Sequence, residues 1–105
     1  MILTSSLFFI LRIKMLIVSY DISDNKLRSH FSKYLEKFGF RLQYSVFQIN
    51  NSDRLLKIIA TEVKTKFEKR FSQSDSIIIL KLSDTCKITQ YGYAKNNETD
   101  FILVE

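Results

Sequence analysis

At 105 residues the chain is long enough for one domain with a single modest core, which excludes a multidomain architecture. Its 46% hydrophobic and 13% aromatic content excludes a disordered chain, and sixteen Lys and Arg against eleven Asp and Glu give a net charge of +5 that suits a polyanionic partner such as nucleic acid. The single Cys86 excludes an intramolecular disulfide and a cysteine-based zinc site, so we expect a cytoplasmic protein.

The first fourteen residues do not read as part of the domain. An apolar run at Leu7–Leu11 is followed by Arg12 and Lys14, whereas a secretory signal carries its positive charge before the apolar run. The run is also too short to span a bilayer, so we expect no membrane partner. The sequence therefore predicts an amino-terminal hydrophobic extension at 1–14 and a single working domain at 15–105.

The domain opens with a strand and an amphipathic helix. Met15–Ile22 is rich in Leu, Ile and Val and predicts a buried strand. Ser23 or Asp24 is placed to cap the helix that follows, and Gly39 is interpreted as the helix stop. The helix is predicted from apolar residues that share one face: Leu27, Phe31, Tyr34, Leu35 and Phe38.

The next segment, Phe40–Asn50, is β-branched and aromatic, which predicts either one bent strand or two short ones. Asn50–Asp53 is then a loop and cap. A second amphipathic helix follows and is broken at Ser72–Ser76, with one apolar face formed by Leu55, Leu56, Ile59, Val63 and Phe67.

The chain ends with two further predicted strands. Ile77–Leu82 is a continuous apolar run of strand length, and Phe101–Val104 is predicted as a last short strand after the irregular stretch 84–100, where Gly92 suggests a turn. With two strands in the middle, the order is that of an α+β fold, a ferredoxin-like βαββαβ sandwich with an extra C-terminal strand and two helices on one face of an antiparallel sheet. The terminal strand is positioned to pair with a second protomer.

Two carboxylates follow the first strand, in the stretch YDISD. No glycine-rich phosphate loop, HExxH motif or glycine-flanked serine is present, so any catalysis rests on few groups. Asp21 is a candidate magnesium ligand, and two copies meeting across a dimer axis would make a better site than one. From the residues alone, a strand-end carboxylate bonded to backbone amides is the favoured alternative. Asp24 is interpreted as a helix cap.

A basic group on and after the first helix is a candidate nucleic-acid surface. Only Glu36 opposes it there, although an ordinary solvated helix face explains the same residues equally well. Cations of the second helix are more evenly balanced by acidic residues and carry less weight. The basic group consists of Lys26, Arg28, Lys33, Lys37 and Arg41.

Taken together, MLIVSYDISD, Arg28 seven residues after Asp21, Gly39 and then RLQYSVF at Arg41–Phe47 resemble the second CRISPR-associated core protein, the Cas-two family. The resemblance runs from residue 15 to residue 105. It implies a ferredoxin-like homodimer that works with the CRISPR integrase subunit in spacer acquisition and contacts duplex DNA and single-stranded RNA.

The resemblance also implies an activity, since members are described as magnesium-dependent endonucleases of RNA or DNA. In that reading paired Asp21 carboxylates hold magnesium, which polarises the phosphoryl oxygen and lowers the pKa of a bound water, while arginines neutralise phosphate charge. Two alternatives stay open: a non-catalytic dimeric DNA-binding scaffold, and a related toxin-like ribonuclease. The positions that match the family's catalytic site are Tyr20, Asp21, Arg28, Arg41, Ser45 and Phe47.

Overall fold

The computed structural model describes residues 15–50, 52–83 and 85–92. The predicted extension at 1–14 and the predicted strand Phe101–Val104 lie outside the described residues. The elements in chain order are β1 (Met15–Asp21), α1 (Asn25–Glu36), β2 (Gly39–Gln43), β3 (Val46–Asn50), α2 (Ser52–Glu62) and β4 (Ser76–Leu82). No helix among the described residues is long and apolar enough to cross a membrane.

The four strands form one antiparallel sheet in the order β2-β3-β1-β4. Leu16, Val18 and Tyr20 alternate along β1 and are buried, because successive strand side chains point to opposite faces and only this face is covered by helices. The predicted α+β ferredoxin-like sandwich is therefore confirmed for the described strands and helices. The core they share with the helices includes Leu27, Phe31, Leu35, Ile59 and Phe67.

Helix α1 begins at the predicted cap. Asp24 has an extended backbone, and its Oδ2 accepts from the amide of Leu27 at 2.8 Å. The prediction that Gly39 stops the helix was wrong, because α1 ends at Glu36 and Gly39 is the first residue of β2. A Cβ at Gly39 would lie 2.0 Å from the carbonyl oxygen of Gln48, so glycine is needed there for the close approach of two strands.

The segment after α1 is two strands. β2 and β3 are joined by a turn at Tyr44 and Ser45, and the register shifts between Arg41 and Gln43. This irregularity and a turn without Gly or Pro explain why the turn could not be placed from sequence. The predicted loop at Asn50–Asp53 is much shorter than expected, because β3 extends to its first residue and α2 begins at Ser52.

The second helical segment is not one regular α-helix. After α2 the chain continues as a wider π-helical turn, Val63–Phe67, and a 3₁₀ turn, Glu68–Arg70. Phe67 is buried at the end of the π-helical turn and packs edge-on against Phe31, with ring centroids 4.9 Å apart. The predicted apolar face is thus kept through Phe67 although the helix geometry changes.

The sheet face opposite the helices carries exposed apolar side chains. Ile78 and Leu80 of β4 are 55% and 49% exposed, and they pair with Ser19 and Ile17 of β1 on the same face. Residues after β4 reach the far edge of the sheet, where the Gln90 side-chain amide donates to a β2 carbonyl at 2.8 Å. We call the β1–β4 part of the sheet face opposite the helices the open face. It is defined by Ile17, Ser19, Asp21, Ser76, Ile78 and Leu80.

Candidate nucleic-acid and metal site

Arg28 holds the loop between β1 and α1. Its Nη1 donates to the carbonyl oxygen of Ile22 at 2.9 Å and to that of Ser23 at 3.4 Å, and its Nη2 donates to the Asn25 side chain. The guanidinium carbon also lies 5.9 Å from the ring centroid of Tyr44. The family-matched Arg28 is therefore fixed in place before any ligand binds, which favours recognition of a planar, charged group.

Arg41 is fixed from the opposite side by the β2–β3 turn. Its Nη1 donates to the Tyr44 carbonyl oxygen, its Nη2 lies 3.5 Å from Glu36, and its guanidinium stands over the Phe47 ring at 4.9 Å. The Arg41 side chain is only 15% exposed, so its charge is partly shielded from solvent. Electrostatic attraction to an anion is stronger in such a setting than on an open surface.

Tyr20 lies beneath the two arginines, with its ring edge-on to Phe31 at a centroid distance of 5.2 Å. Its hydroxyl donates to the Tyr44 carbonyl oxygen at 3.4 Å. Burial raises the pKa of Tyr20 above its ordinary value, and the nearby Arg41 acts in the opposite direction. Tyr20 is therefore a neutral hydroxyl at pH 7 and adds no negative charge that would repel phosphate.

These three side chains share one cavity of about 170 Å³, which we call the arginine pocket. It brings together Tyr20, Arg28 and Arg41 of the predicted site. The remaining lining residues do not belong to the predicted site positions, although three of them recur at helical spacing with Arg28 along one polar stripe of α1. They are Asn25, Ser29, Ser32 and Tyr44.

Asp21 does not join the arginine pocket. Tyr20 faces the helices, so strand alternation places the next residue, Asp21, on the open face, where it pairs in register with Ser76. The Asp21 side chain is exposed and makes no hydrogen bond or ion pair with any described residue. Within a single chain, the sheet thus lies between the predicted metal ligand and the predicted phosphate-binding arginines.

The last two family-matched positions make contacts within the fold. The Ser45 carbonyl oxygen accepts from the Tyr20 amide at 3.1 Å, which joins the β2–β3 turn to β1. Phe47 is fully buried, so its side chain supports the Arg41 guanidinium from below and cannot touch a substrate directly.

The other predicted nucleic-acid contacts lie elsewhere on α1. Lys33 and Lys37 line a second and larger cavity between the helices, of about 340 Å³. Lys26 is exposed near the start of α1 and lines neither cavity. The predicted basic group is consequently split between two separate surfaces.

The carboxylates around Asp21 decide how well the site fits magnesium. Asp24 caps α1, and both oxygens of Asp75 accept hydrogen bonds from Ser23 and Ser72, so these two carboxylates are already bonded. Among the described residues no three His, Cys, Asp or Glu side chains come together as a metal site. Asp21 has the oxygen donor that magnesium prefers, and two copies of it would suffice if water and substrate phosphate filled the other positions.

Comparison with models of known protein families gives a match. The model described as "CRISPR associated protein Cas2" matches residues 14–89. The chain belongs to the Cas2 family. The match covers β1 to the region after β4, so it includes the arginine pocket, Asp21 and the open face.

Curated Cas2 relatives agree with the family model. The "CRISPR-associated endoribonuclease Cas2 1" of Archaeoglobus fulgidus is 41% identical over 76 residues, which cover 70% of this chain and 76% of that protein. The "CRISPR-associated endoribonuclease Cas2" of Mycobacterium tuberculosis is 34% identical over 77 residues. That alignment covers 72% of this chain but only 64% of the relative's length.

Solved structures show the same Cas2 fold at lower identity. A crystal structure described as cas2 matches with a TM-score of 0.64 and 22% identity, over 86% of this chain and 99% of the other. A hypothetical protein from Thermus thermophilus matches with a TM-score of 0.60 and 23% identity, over 77% and 93% of the two chains. These structures support the fold assignment.

Proposed function

We propose that this Cas2-family chain is a metal-dependent endonuclease of RNA or DNA that works as a homodimer in CRISPR spacer acquisition. The observation that carries the proposal is the exposed carboxylate of Asp21 on the open face, which bonds to no described residue. Relatives named as endoribonucleases support the reaction class. The integrase partner and the duplex DNA substrate rest on the family resemblance.

The apolar surface around Asp21 supports the proposed homodimer. Ile78 and Leu80 are about half exposed beside it, and packing the open faces of two copies would remove both from water. The same packing would bring two Asp21 carboxylates to one interface. Two carboxylates with water and substrate oxygens match the way magnesium is commonly bound in proteins that act on phosphates.

Residues of this chain would have separate roles in the reaction. Asp21 and its copy in the partner would hold magnesium, and the ion, when bound, would supply charge stabilisation at the scissile phosphate. Arg28 and Arg41 retain N–H groups beyond those used on backbone carbonyls, and these would bind a flanking phosphate in the arginine pocket. Tyr20 keeps the pocket floor neutral.

The decisive experiment compares two aspartates that lie three residues apart. Cleavage of single-stranded RNA, single-stranded DNA and duplex DNA is measured with and without magnesium for the wild type, Asp21→Asn and Asp24→Asn. We expect Asp21→Asn to abolish magnesium-dependent cleavage, because it removes the carboxylate of the YDISD stretch that bonds to no described residue. Asp24→Asn removes the same charge but keeps a capping oxygen, so it serves as the matched control. Wild-type cleavage by Asp21→Asn would exclude Asp21 as the metal ligand.

The dimer is tested separately on the open face. Ile78→Lys with Leu80→Lys places two charges where a second copy would pack, so we expect a shift from dimer to monomer in sedimentation velocity. Lys57→Glu, on the exposed side of α2, changes charge away from the open face and should leave the dimer intact. A wild type that stays monomeric at all concentrations would contradict the shared Asp21 site.

One observation favours a second candidate function, a non-catalytic scaffold that holds duplex DNA. Arg28 and Arg41 lie on the helix-covered side of the sheet, whereas Asp21 lies on the open face. If the wild type binds duplex DNA but cleaves no nucleic acid with any divalent metal, the scaffold is the correct reading. Arg28→Gln should then weaken duplex binding while Asp21→Asn has no effect on it.

A further inference from the structure

The larger cavity lies between α1 and the π-helical and 3₁₀ turns that follow α2, and we call it the interhelical cleft. Its volume is about 340 Å³, twice that of the arginine pocket. The family-matched catalytic positions do not line it. Its lining consists of His30, Lys33, Tyr34, Lys37, Glu62, Lys66, Phe67 and Arg70.

Positive charge dominates the interhelical cleft. Lys33 comes from α1 and Lys37 from its C-cap, and Lys66 and Arg70 come from the opposite wall, against the single carboxylate of Glu62. Lys66 Nζ lies 3.1 Å from Glu62, so one of the four cations is neutralised by an ion pair. The other three cations are exposed and form no ion pair with a described acidic residue. Helix C-terminal carbonyls attract cations by a modest amount, which does not account for three on facing walls.

The floor of the cleft is aromatic. Tyr34 and Phe67 pack with ring centroids 5.7 Å apart, and Lys37 Nζ lies 5.7 Å from the centroid of the Tyr34 ring. Burial and the nearby Glu62 raise the pKa of Tyr34, so this hydroxyl remains neutral. An apolar floor under the cations lowers the local dielectric and strengthens their attraction for an anion.

The spacing of the cations fits a linear polyanion. On each wall the two cations are four residues apart, a separation of about 6 Å in a regular α-helix. Lys66 is exposed on the lining of the cleft, and the next residue, Phe67, is buried at its floor. A nucleic-acid strand carries one phosphate per roughly 3.4 Å of helix axis, so each wall spans about two phosphates.

We propose that the interhelical cleft binds the phosphate backbone of nucleic acid, as a second anchoring point separate from the arginine pocket. This inference rests on the proposed function, because it assumes that the chain binds nucleic acid. It adds the residues on the second helical segment, Lys66 and Arg70, to the binding surface. The two anchoring points lie at different ends of α1, with Arg28 near its start and Lys37 just after its end.

The test is a salt titration of duplex DNA binding, measured by fluorescence anisotropy on the full chain. Lys33→Gln with Arg70→Gln removes one cation from each wall of the interhelical cleft. The matched control, Lys64→Gln with Lys69→Gln, removes the same charge from exposed positions of the second helical segment that do not line the cleft. We expect the cleft variant to bind roughly tenfold or more weakly and to lower the slope of log K against log salt by about 2.

A gain-of-binding pair strengthens the test. Glu62→Gln frees Lys66 from its ion pair, so we expect tighter duplex binding than with Glu68→Gln, which removes an exposed carboxylate outside the cleft. Equal losses in both double variants, or equal gains in both glutamate variants, would show that only net charge matters and would overturn the proposal.

Three further outcomes would also overturn the proposal. If adenosine monophosphate perturbs the cleft residues in NMR spectra and duplex affinity is insensitive to Lys33→Gln with Arg70→Gln, the cleft binds a free nucleotide and the proposal is wrong. A wild type that binds no nucleic acid overturns both this inference and the proposed function. If the cleft and control double variants lose duplex binding equally while cleavage is retained, this inference alone is overturned.

Discussion

The two faces of the sheet differ in how many of their side chains are bonded or buried within a single chain. On the helix-covered face the polar groups of the arginine pocket bond one another, and Arg28, Arg41 and Tyr20 all reach backbone carbonyls. On the open face Asp21 bonds to no other residue that the structure describes, and Ile78 is exposed. The side chains of the helix-covered face therefore find their partners when one chain folds. The open face is suited to bury its side chains against a second copy.

The largest expected effect contrasts one residue from each face. Phe31 is fully buried among three aromatic rings, so Phe31→Ala should lower the free energy of unfolding by about 3–5 kcal/mol. Ile78 is more than half exposed, so Ile78→Ala should cost the monomer less than about 1 kcal/mol. Urea denaturation at low protein concentration measures both. Similar losses would mean that the open face is already packed in one copy.

A smaller effect is expected at Gly39, where β2 approaches β3. Gly39→Ala places a Cβ against a backbone carbonyl that cannot move alone, so we expect a loss of about 1–3 kcal/mol in the free energy of unfolding. Ser76→Ala, at an exposed position of the open face, is the control and should be nearly neutral. A neutral Gly39→Ala would show that the strands separate freely there.

Substitutions of the two aspartates of YDISD should differ in their effect on the free energy of unfolding. Asp24→Ala removes the oxygen that accepts from Leu27, and it should lower the free energy of unfolding by about 1 kcal/mol. Asp21→Ala should leave that free energy almost unchanged, because the Asp21 side chain bonds to no described residue. Thermal denaturation measures both variants. An equal loss from the two would indicate a structural role for Asp21.

The smallest expected effect is a pH dependence at Asp75. Backbone amides of Ser72 and Ser23 donate to its carboxylate and lower its pKa below the ordinary value of 3.8. The unfolded chain therefore takes up the proton first as pH falls, and the stabilisation is present above about pH 3.8 and is lost as pH falls through the lower folded pKa. Asp75→Asn should flatten the Tm profile in this acidic range. An unchanged profile would mean that the bonds do not favour the charged form.

The regular parts of the fold could be predicted from sequence because each has a clear period. The apolar spacing of Leu27, Phe31 and Leu35 identified α1, and the run before Leu82 identified β4. The turn at Tyr44 and the π-helical turn could not be predicted. They lack Gly or Pro, and their geometry depends on tertiary contacts of Arg41 and Phe67.

The sequence could predict individual residues of the candidate site, but it could not predict which of them lie together in space. Strand alternation already implied that Tyr20 and Asp21 point to opposite faces, and the polar stripe of Asn25, Ser29 and Ser32 was readable at helical spacing. The convergence of Lys33 with Arg70 was not readable, because it depends on how two helical segments pack. Sequence periodicity describes one element at a time, whereas a cavity needs two.

The position of β1 in the sheet has a consequence for biosynthesis. β1 is the first described strand to leave the ribosome, yet it lies in the middle of the sheet between β3 and β4. One of its neighbours, β4, begins only at Ser76, so Leu16 and Val18 remain without complete cover until most of the domain has been synthesised. Folding must therefore await late contacts between distant segments, which slows the reaction and leaves the nascent chain open to association with other chains.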